Sequence, residues 1–378
     1  MEKITLVATC MFGLERLLGE EIDALGYKRT HTMDGRVTFE GDIAAIARAN
    51  IFLRFAERVY IKLGEFPANS FAELFDGTLA LEWEKWIGKD DAFPVAGHAI
   101  KSKLFSVPDC QKIIKKAIVK RLSTAYGNTW FEERETKYRV EFFIFKDSAS
   151  LMIDTSGEPL HKRGYRAESV AAPLRETLAA AVAATSRPRE NVLLWDPFCG
   201  SGTIAIEAAM MMAHIAPGAR RSFAAEAFPQ ISAEIWQAAR KEAEDGIVET
   251  EFRANATDID PEAVKLTLQN AKKAGVDGLI NAYVMDAREL KNNGERASVV
   301  TNPPYGERLM SYDEVYRLYG EIGKAFSRLG AWQIYILTAD EQFERHYGKR
   351  ADKSRRLYNG MIPCKLYQYF RNDKTLKK

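Results

Sequence analysis

The sequence predicts an α/β protein: a doubly wound, mostly parallel sheet ending in a C-terminal hairpin, preceded by smaller α+β modules. Three observations carry this. From about residue 173 onward, short strand-like apolar runs alternate with helical stretches, the pattern of a parallel sheet with crossover helices. The first of those strands runs into a glycine turn at Asp196-Pro197-Phe198-Cys199-Gly200-Ser201-Gly202-Thr203, and a later one stops at Asn302-Pro303-Pro304-Tyr305. Finally, 378 residues exceed what one small core organises, so at least two domains are expected.

Taken in order, Ile4 to Thr9 reads as a strand rather than a secretory leader, because no basic region precedes it and a charged amphipathic pattern follows. Gly13 to Leu25 is a helix with Leu14, Leu17, Leu18, Ile22 and Leu25 on one face, and Arg36 to Phe39 a strand ended by Gly41. A second α/β module follows: helix Ser70 to Leu81, strand Val95 to Lys101, a long amphipathic helix Pro108 to Tyr126 and a strand pair at Tyr138 to Phe145 and Ser150 to Asp154. The Gly- and Pro-punctuated basic stretch 157–166 marks the interdomain linker. Beyond it come helix 173–185, strand 192–195, helix 202–213, strand 252–257, helix 261–274, strands 280–284 and 298–301, helix 314–329 and strand 332–338. A hairpin over 356–370 turning at Asn359-Gly360 closes the series.

Composition excludes several classes. Hydrophobic residues make up 46% and charged residues 28%, an ordinary folded balance. The longest apolar runs, such as Leu178 to Ala184, are far shorter than a bilayer crossing, so no transmembrane segment is expected, and the cysteine usage fits a reducing cytoplasm. Cys10, Cys110, Cys199 and Cys364 lie far apart, and the five histidines show no ligand spacing, so neither a disulfide framework nor a metal is expected. Net charge is only +2, but it is unevenly placed. Lys101, Lys103, Lys112, Lys115, Lys116, Lys120 and Arg121 face one acid, Asp109, and residues 345–378 hold eleven basic residues against Asp352 and Asp373. Such clusters suit either a solvated face or the neutralisation of nucleic-acid phosphates.

Gly200, Gly202 and Ala205 satisfy G-x-G-x-x-A, whose glycines let backbone approach a ligand at a helix N-terminus. A dinucleotide site would want an acid about 20 residues on. Here the next strand-end acids are Asp258 and Asp260, and Asp196 at the strand tip would repel a pyrophosphate while accepting an ammonium group. That favours a cofactor bearing an amino acid over NAD. At the second motif the prolines force the chain off the sheet at its carboxyl edge. There the Asn302 side-chain oxygen and the Pro303 carbonyl can hold an exocyclic base amine, while Tyr305 can stack on the extruded base.

Together these motifs resemble the class I S-adenosylmethionine-dependent amino-methyltransferases. With His161 to Arg166, Pro173 to Leu178, Ile215 to Gly218, Gly306 to Leu309 and the Tyr358-Asn359-Gly360 turn, the chain resembles the guanine-N2 methyltransferase half of the large-subunit rRNA enzyme RlmL and its single-unit relatives. The resemblance implies a ferredoxin-like segment at 1–64, a THUMP RNA-binding domain at 65–160 and a Rossmann-like methyltransferase domain at 161–378; a second methyltransferase unit is not expected. It also implies that Asp196, Phe198, Gly200, Gly202 and Thr203 surround the methionine end of the cofactor, that Asp258 helped by Asp260 binds the ribose, and that Asp286 faces the adenine amine. Each carboxylate has a plain alternative as a strand-end or helix-capping group. Asn302, Pro303, Pro304 and Tyr305 would form the guanine site, and the basic helix would hold RNA, with large-subunit rRNA or its assembly intermediate as partner. The Asn-Pro-Pro-Tyr signature also serves adenine-N6 methyltransferases, and a non-catalytic, cofactor-holding ribosome-assembly factor is the reading from another class.

Overall fold

A computed structural model describes residues 3–166, 174–305 and 311–370. The chain divides into two compact units. The first comprises Met1–Cys10, Leu18–Leu160 and Arg221–Glu242, the second Met11–Leu17, His161–Arg220 and Ala243–Lys378.

The first unit is built on one seven-stranded sheet, from β1 (Ile4–Thr9), β2 (Lys28–Met33), β3 (Arg36–Gly41), β4 (Arg58–Pro67), β5 (Val95–Ile100), β6 (Val140–Phe145) and β7 (Ser148–Asp154), in the order β2-β3-β1-β4-β7-β6-β5. Only β5 and β6 pair in parallel. The ten-residue β4 pairs with β1 through Arg58 to Ile61 and with β7 as far as Pro67. The expected division at 64/65 therefore falls inside a strand common to both halves of the sheet. Helices α1 (Glu15–Ala24), α2 (Ile43–Phe52), α3 (Phe71–Ala80) and α4 (Val107–Tyr126) accompany these strands. Asp42 and Ser70 cap α2 and α3 by accepting backbone N–H bonds, and Gly127, with φ +70°, ends α4. The polar, exposed edge strand β2, the almost wholly apolar α2 and the strand β4 are not resolved by the sequence pattern: β2 and α2 lack the alternation or single apolar stripe that marks an element. Residues 221–242 join this unit, where the Phe228 ring stacks on Tyr138 at 4.2 Å and Gln230 donates to the Lys85 and Trp86 carbonyls.

The second unit carries α5 (Glu176–Ser186), β8 (Leu193–Asp196), α6 (Thr203–Met212), β9 (Ala254–Asp258), α8 (Pro261–Ala274), β10 (Ile280–Val284), β11 (Ala297–Thr301), α9 (Tyr312–Phe326), β12 (Gln333–Thr338), α10 (Phe343–Tyr347), β13 (Lys353–Asn359) and β14 (Ile362–Tyr369); α7 (Ala233–Asp245) spans the boundary of the two units. The sheet order is β10-β9-β8-β11-β12-β14-β13. Its first five strands are parallel, and the hairpin β13–β14 adds antiparallel on β12. This is the doubly wound sheet with a terminal hairpin that the sequence predicts. The order reverses between β8 and β11, the switch point where α/β sheets bind ligands at their carboxyl ends. Trp195, Trp332, Tyr319, Ile336 and Tyr367 belong to the core cluster under that edge. The stretch at 161–166 is no exposed tether: Arg163 and Tyr165 are buried and engage Glu207 of α6, because two arginines and a tyrosine answer carboxylates that the apolar helices would otherwise strand.

Candidate functional site

β8 delivers Asp196 to the carboxyl edge, where it is buried and accepts hydrogen bonds from the Thr301 hydroxyl at 2.6 Å and the Phe198 amide at 3.2 Å. Burial pushes its carboxyl up to about 7, against those two bonds, and the nearby Asp258 adds to the rise. No cation pairs with Asp196 among the described residues. Thr301 is the last residue of β11, so this bond joins the tip of the glycine-turn strand to the residue before Asn302. Sequence reasoning missed Thr301, since a threonine at a strand end carries no signal of its own.

The turn after β8 brings two glycines into left-handed conformations, φ +50° at Gly200 and +79° at Gly202. A Cβ at Gly202 would sit 2.7 Å from the Thr267 methyl, so glycine is required there by packing as well as by φ. A Cβ at Gly200 would meet nothing within 4 Å, which leaves the backbone open to a ligand. Gly200 donates its N–H to Asp258 at 2.9 Å, and Gly202 caps α6, whose first residue Thr203 is buried, with its hydroxyl 2.9 Å from that of Ser201. Phe198 is half-buried against the core. The four acids expected at this edge are held differently. Asp258 also accepts the Asp260 amide, while the exposed Asp260 caps α8 by accepting from Glu262. Asp286 accepts the Arg288 guanidinium, which keeps its carboxyl below the usual range, and Arg288 reaches on to Glu321. Arg288 is thus a partner the sequence reading did not assign.

Asn302 and Pro303 leave the sheet directly after β11. The Asn302 Oδ1 atom is buried and finds no hydrogen-bond partner among the described residues. The Pro304 carbonyl accepts from Tyr319 of α9 at 3.0 Å, and the Tyr319 hydroxyl lies 3.2 Å from that of Thr338 at the end of β12. The proline turn is therefore buttressed from beneath, with Tyr305 half-buried beside it. Gly306 to Leu309 and Pro173 lie outside the described residues. A cavity of about 470 Å³ near Trp332 and Phe370 lies by the start of β12 and the end of β14, away from the edge where these groups converge.

A second buried group backs the glycine turn. Arg166 forms an ion pair with Glu176 at 3.0 Å, donates to the Leu174 carbonyl and lies 3.5 Å from the Thr203 hydroxyl. Glu176, buried at the start of α5, is pushed upward by desolvation despite the Arg166 charge.

In the first unit, Lys101, Lys103, Lys112, Lys116 and Lys120 are exposed. Lys103 also donates to Asn69, and Lys112 lies 3.8 Å from Asp109. Lys115 instead packs over the Phe93 ring and pairs with Glu133, and Arg121 pairs with Glu84. Among the described residues no group of three or more His, Cys, Asp or Glu side chains could hold a metal, and no helix is long and apolar enough to cross a membrane.

Comparison with known proteins matches residues 163–368 to the RMKL-like methyltransferase domain, 5–60 to the RlmL ferredoxin-like domain and 68–154 to the THUMP domain. YpsC of Bacillus subtilis (strain 168), whose name proposes an RNA methyltransferase, is 43% identical, with 100% of this chain and 99% of that protein covered. The ribosomal RNA large subunit methyltransferase K/L of Psychromonas ingrahamii is 34% identical over 94% of this chain, which spans 49% of that enzyme. Among solved structures, SMU.472, whose description proposes a methyltransferase and whose crystal structure is complexed with SAH, is 39% identical, with a TM-score of 0.89 and 98% of each chain covered. A Listeria monocytogenes protein described as a predicted N6-adenine-specific DNA methylase is 44% identical, with a TM-score of 0.91 over 98% of this chain and 97% of that one.

Proposed function

The chain belongs to the RMKL-like methyltransferase family, with RlmL ferredoxin-like and THUMP domains ahead of its catalytic domain, and on that premise we propose that it methylates the exocyclic N2 of a guanine in RNA, the substrate being 23S rRNA of the large ribosomal subunit. The cofactor is S-adenosylmethionine, and the residues present fit it. A buried carboxylate paired with no cation among the described residues, Asp196, stands beside a glycine turn whose Gly200 is open to a ligand and whose helix dipole favours a carboxylate at its N-terminus. In this reading Asp196 receives the cofactor's ammonium group. Phe198, Gly200, Gly202 and Thr203 line its methionine end, Asp258 and Asp260 take the ribose hydroxyls, and Asp286 takes the adenine amine.

The observation that carries the substrate proposal is the buried Asn302 Oδ1, which has no partner among the described residues. A buried acceptor left without a donor costs roughly 1–3 kcal/mol, a cost that an incoming amine removes. Bound S-adenosylmethionine supplies an electrophilic methyl group. Asn302 Oδ1 and the Pro303 carbonyl accept the two N–H bonds of the base amine and turn its lone pair toward that methyl. Tyr305 stacks on the extruded base, and Tyr319 with Thr338 holds the proline turn in place. The exposed lysines of α4 provide phosphate contacts.

A second reading, adenine-N6 methylation, has the description of the Listeria neighbour in its favour. Tritiated methyl transfer to rRNA from cells lacking the protein, followed by nucleoside analysis, separates the two. N2-methylguanosine in large-subunit RNA is the expected product. N6-methyladenosine would overturn the base assignment, and no incorporation into RNA or ribosomal particles would leave a binding factor.

A further inference from the structure

The register of the terminal hairpin leaves its tip overhanging the catalytic edge. Pairing between β12 and β14 begins at Thr338 with Lys365, whereas β13 and β14 stay paired as far as Asn359 with Ile362. Three residues of each hairpin strand thus run past the carboxyl end of β12, about 10 Å of extended chain. The loop itself is Gly360-Met361, one position beyond the Asn359-Gly360 pair that the sequence suggests. Gly360 has φ +65°, and Met361 is not among the positive-φ residues, the pattern of a type II′ turn.

Two paths of packed groups tie this tip to the reacting groups. On one side a Cβ at Gly360 would lie 3.3 Å from the Arg175 guanidinium. Arg175 follows Leu174, whose carbonyl accepts from Arg166, and Arg166 reaches Thr203 of the glycine turn. On the other, Thr338, where the overhang begins, lies against Tyr319, which holds the Pro304 carbonyl.

The side chains at the tip are the wrong kind for a solvated turn. Met361 is 95% exposed, where turn chemistry favours a small polar residue. Exposed Ile362 stands beside it. Behind them Phe12, itself 55% exposed, meets Tyr358 edge to face with ring centroids 5.9 Å apart. Phe12 is held there because Gly13 accepts from Arg355 through its carbonyl and donates its N–H to Glu15. Arg356 is exposed on β13 two residues before Tyr358, and the guanidinium of Arg175, the N-cap residue of α5, approaches Gly360, so cationic groups accompany the apolar tip.

We propose that this hairpin tip is a base-displacing wedge: Met361, backed by Phe12 and Tyr358, enters the RNA base stack at the position the target nucleotide vacates. The proposal rests on the reading of the chain as an RNA base methyltransferase. Apolar side chains inserted between base steps hold a duplex open and fill the gap left by an extruded base. A thioether on an unbranched stem suits that gap, being apolar, polarizable and adaptable. Flanking arginines would grip the phosphates on either side, leaving the extruded base to the Asn302 turn.

The test uses the full chain and two RNAs carrying the nucleotide that the wild type methylates, one placing it in a stem and the other in an unstructured strand. Met361→Ala should lower kcat/KM on the stem about tenfold, a fraction of what extrusion costs, and change it less than about twofold on the unstructured strand. Met361→Leu should restore the stem reaction. With 2-aminopurine at the target position of the stem, the fluorescence rise on binding wild-type protein should be lost with Met361→Ala and kept with Met361→Leu. Equal loss on both RNAs, or no loss on either, overturns the wedge while leaving the methyltransferase reading intact. If the wild type methylates no RNA from which such a pair can be built, that reading falls, and the wedge with it.

Discussion

Asp154 and Asp196 are buried to the same degree, each 1% exposed, and end strands of the two seven-stranded sheets. Asp154 is met by the Arg58 guanidinium and by the amides of Ser156 and Gly157. Asp196 has one hydroxyl, one amide and no cation among the described residues, and its carboxyl is pushed up to about 7. Burial is therefore not what separates a structural acid from a functional one. The difference is whether the fold itself supplies the countercharge, and on the proposed reading the C-terminal sheet edge leaves that role, like the donor for Asn302, to the bound cofactor and base.

The largest effect that can break this contrast is on stability. Asp154→Ala strands the Arg58 charge in the first unit, and breaking a buried pair costs about 3–5 kcal/mol. Urea denaturation should show that loss, with kcat for methyl transfer retained at temperatures below the lowered midpoint. Asn302→Ala should do the reverse. It removes an acceptor that finds no partner among the described residues, so the urea midpoint should hold or rise slightly, while kcat falls about 10²–10³-fold, the scale seen when one preorganised transition-state hydrogen bond is lost. If Asn302→Ala unfolded the chain, or Asp154→Ala abolished the chemistry in folded protein, the division would fail.

Asp196 sharpens the comparison through pH. Its folded carboxyl titrates near 7, against about 4 when unfolded. Between those values the folded state holds a proton that the unfolded state has released. Without cofactor, this group's contribution to stability is fully present below pH 4, is lost as pH rises toward 7, and stays lost above it. Asp196→Asn cannot ionise. It should melt a few degrees higher than wild type at pH 8 without cofactor, with the gap narrowing as pH falls and closing below about pH 4. Saturating S-adenosylmethionine should reverse the order at pH 8, because the wild-type carboxylate then gains its cation, and titration calorimetry should show at least tenfold weaker binding to the variant. A wild-type melting point at pH 8 above that of Asp196→Asn in the absence of cofactor would remove the claim that this carboxylate is left uncompensated.

How much of this the sequence makes legible follows the same physics. Glycines that must take φ > 0 and prolines that must leave a ladder are visible in one dimension, so both motifs of the catalytic edge and the alternation around them can be read directly. The doubly wound sheet and the hairpin follow from period and punctuation. Hidden from that reading are the groups that act through partners distant in sequence. Thr301 matters because Asp196 lies across the strand gap, Tyr319 because Pro304 sits above it, and Arg166 because Glu176 and Thr203 converge on it. In the first unit β2 is polar throughout and α2 apolar throughout, and neither shows the one-sided face that periodicity detects. The seven basic residues of 101–121 read as one cluster in sequence, yet they sort into exposed cations and cations held by acids once Glu84 and Glu133 fold against them.

That sorting yields the smallest effect. Lys112 and Lys116 are exposed on α4, and the Lys112 pair with Asp109 is a surface interaction of little strength. Lys115, one residue before Lys116, is turned against Phe93 and Glu133 and donates to the Phe93 carbonyl. Charge reversal with Lys112→Glu and Lys116→Glu should weaken RNA binding severalfold at about 0.1 M salt. It should also flatten the plot of log affinity against log salt by about 0.7 for each phosphate no longer neutralised, the single-strand value. Lys115→Ala should leave that slope alone and lower the stability of the first unit by about 1 kcal/mol, because the Phe93 ring then has no cation over it and Glu133 no partner in Lys115. Filter binding over a salt series reads the first effect and thermal melting the second. A slope that drops equally for all three lysines would mean that Lys115 exchanges Glu133 for phosphate when RNA binds, and the distinction between cations spent on the fold and cations kept for a ligand would then have to be redrawn on α4.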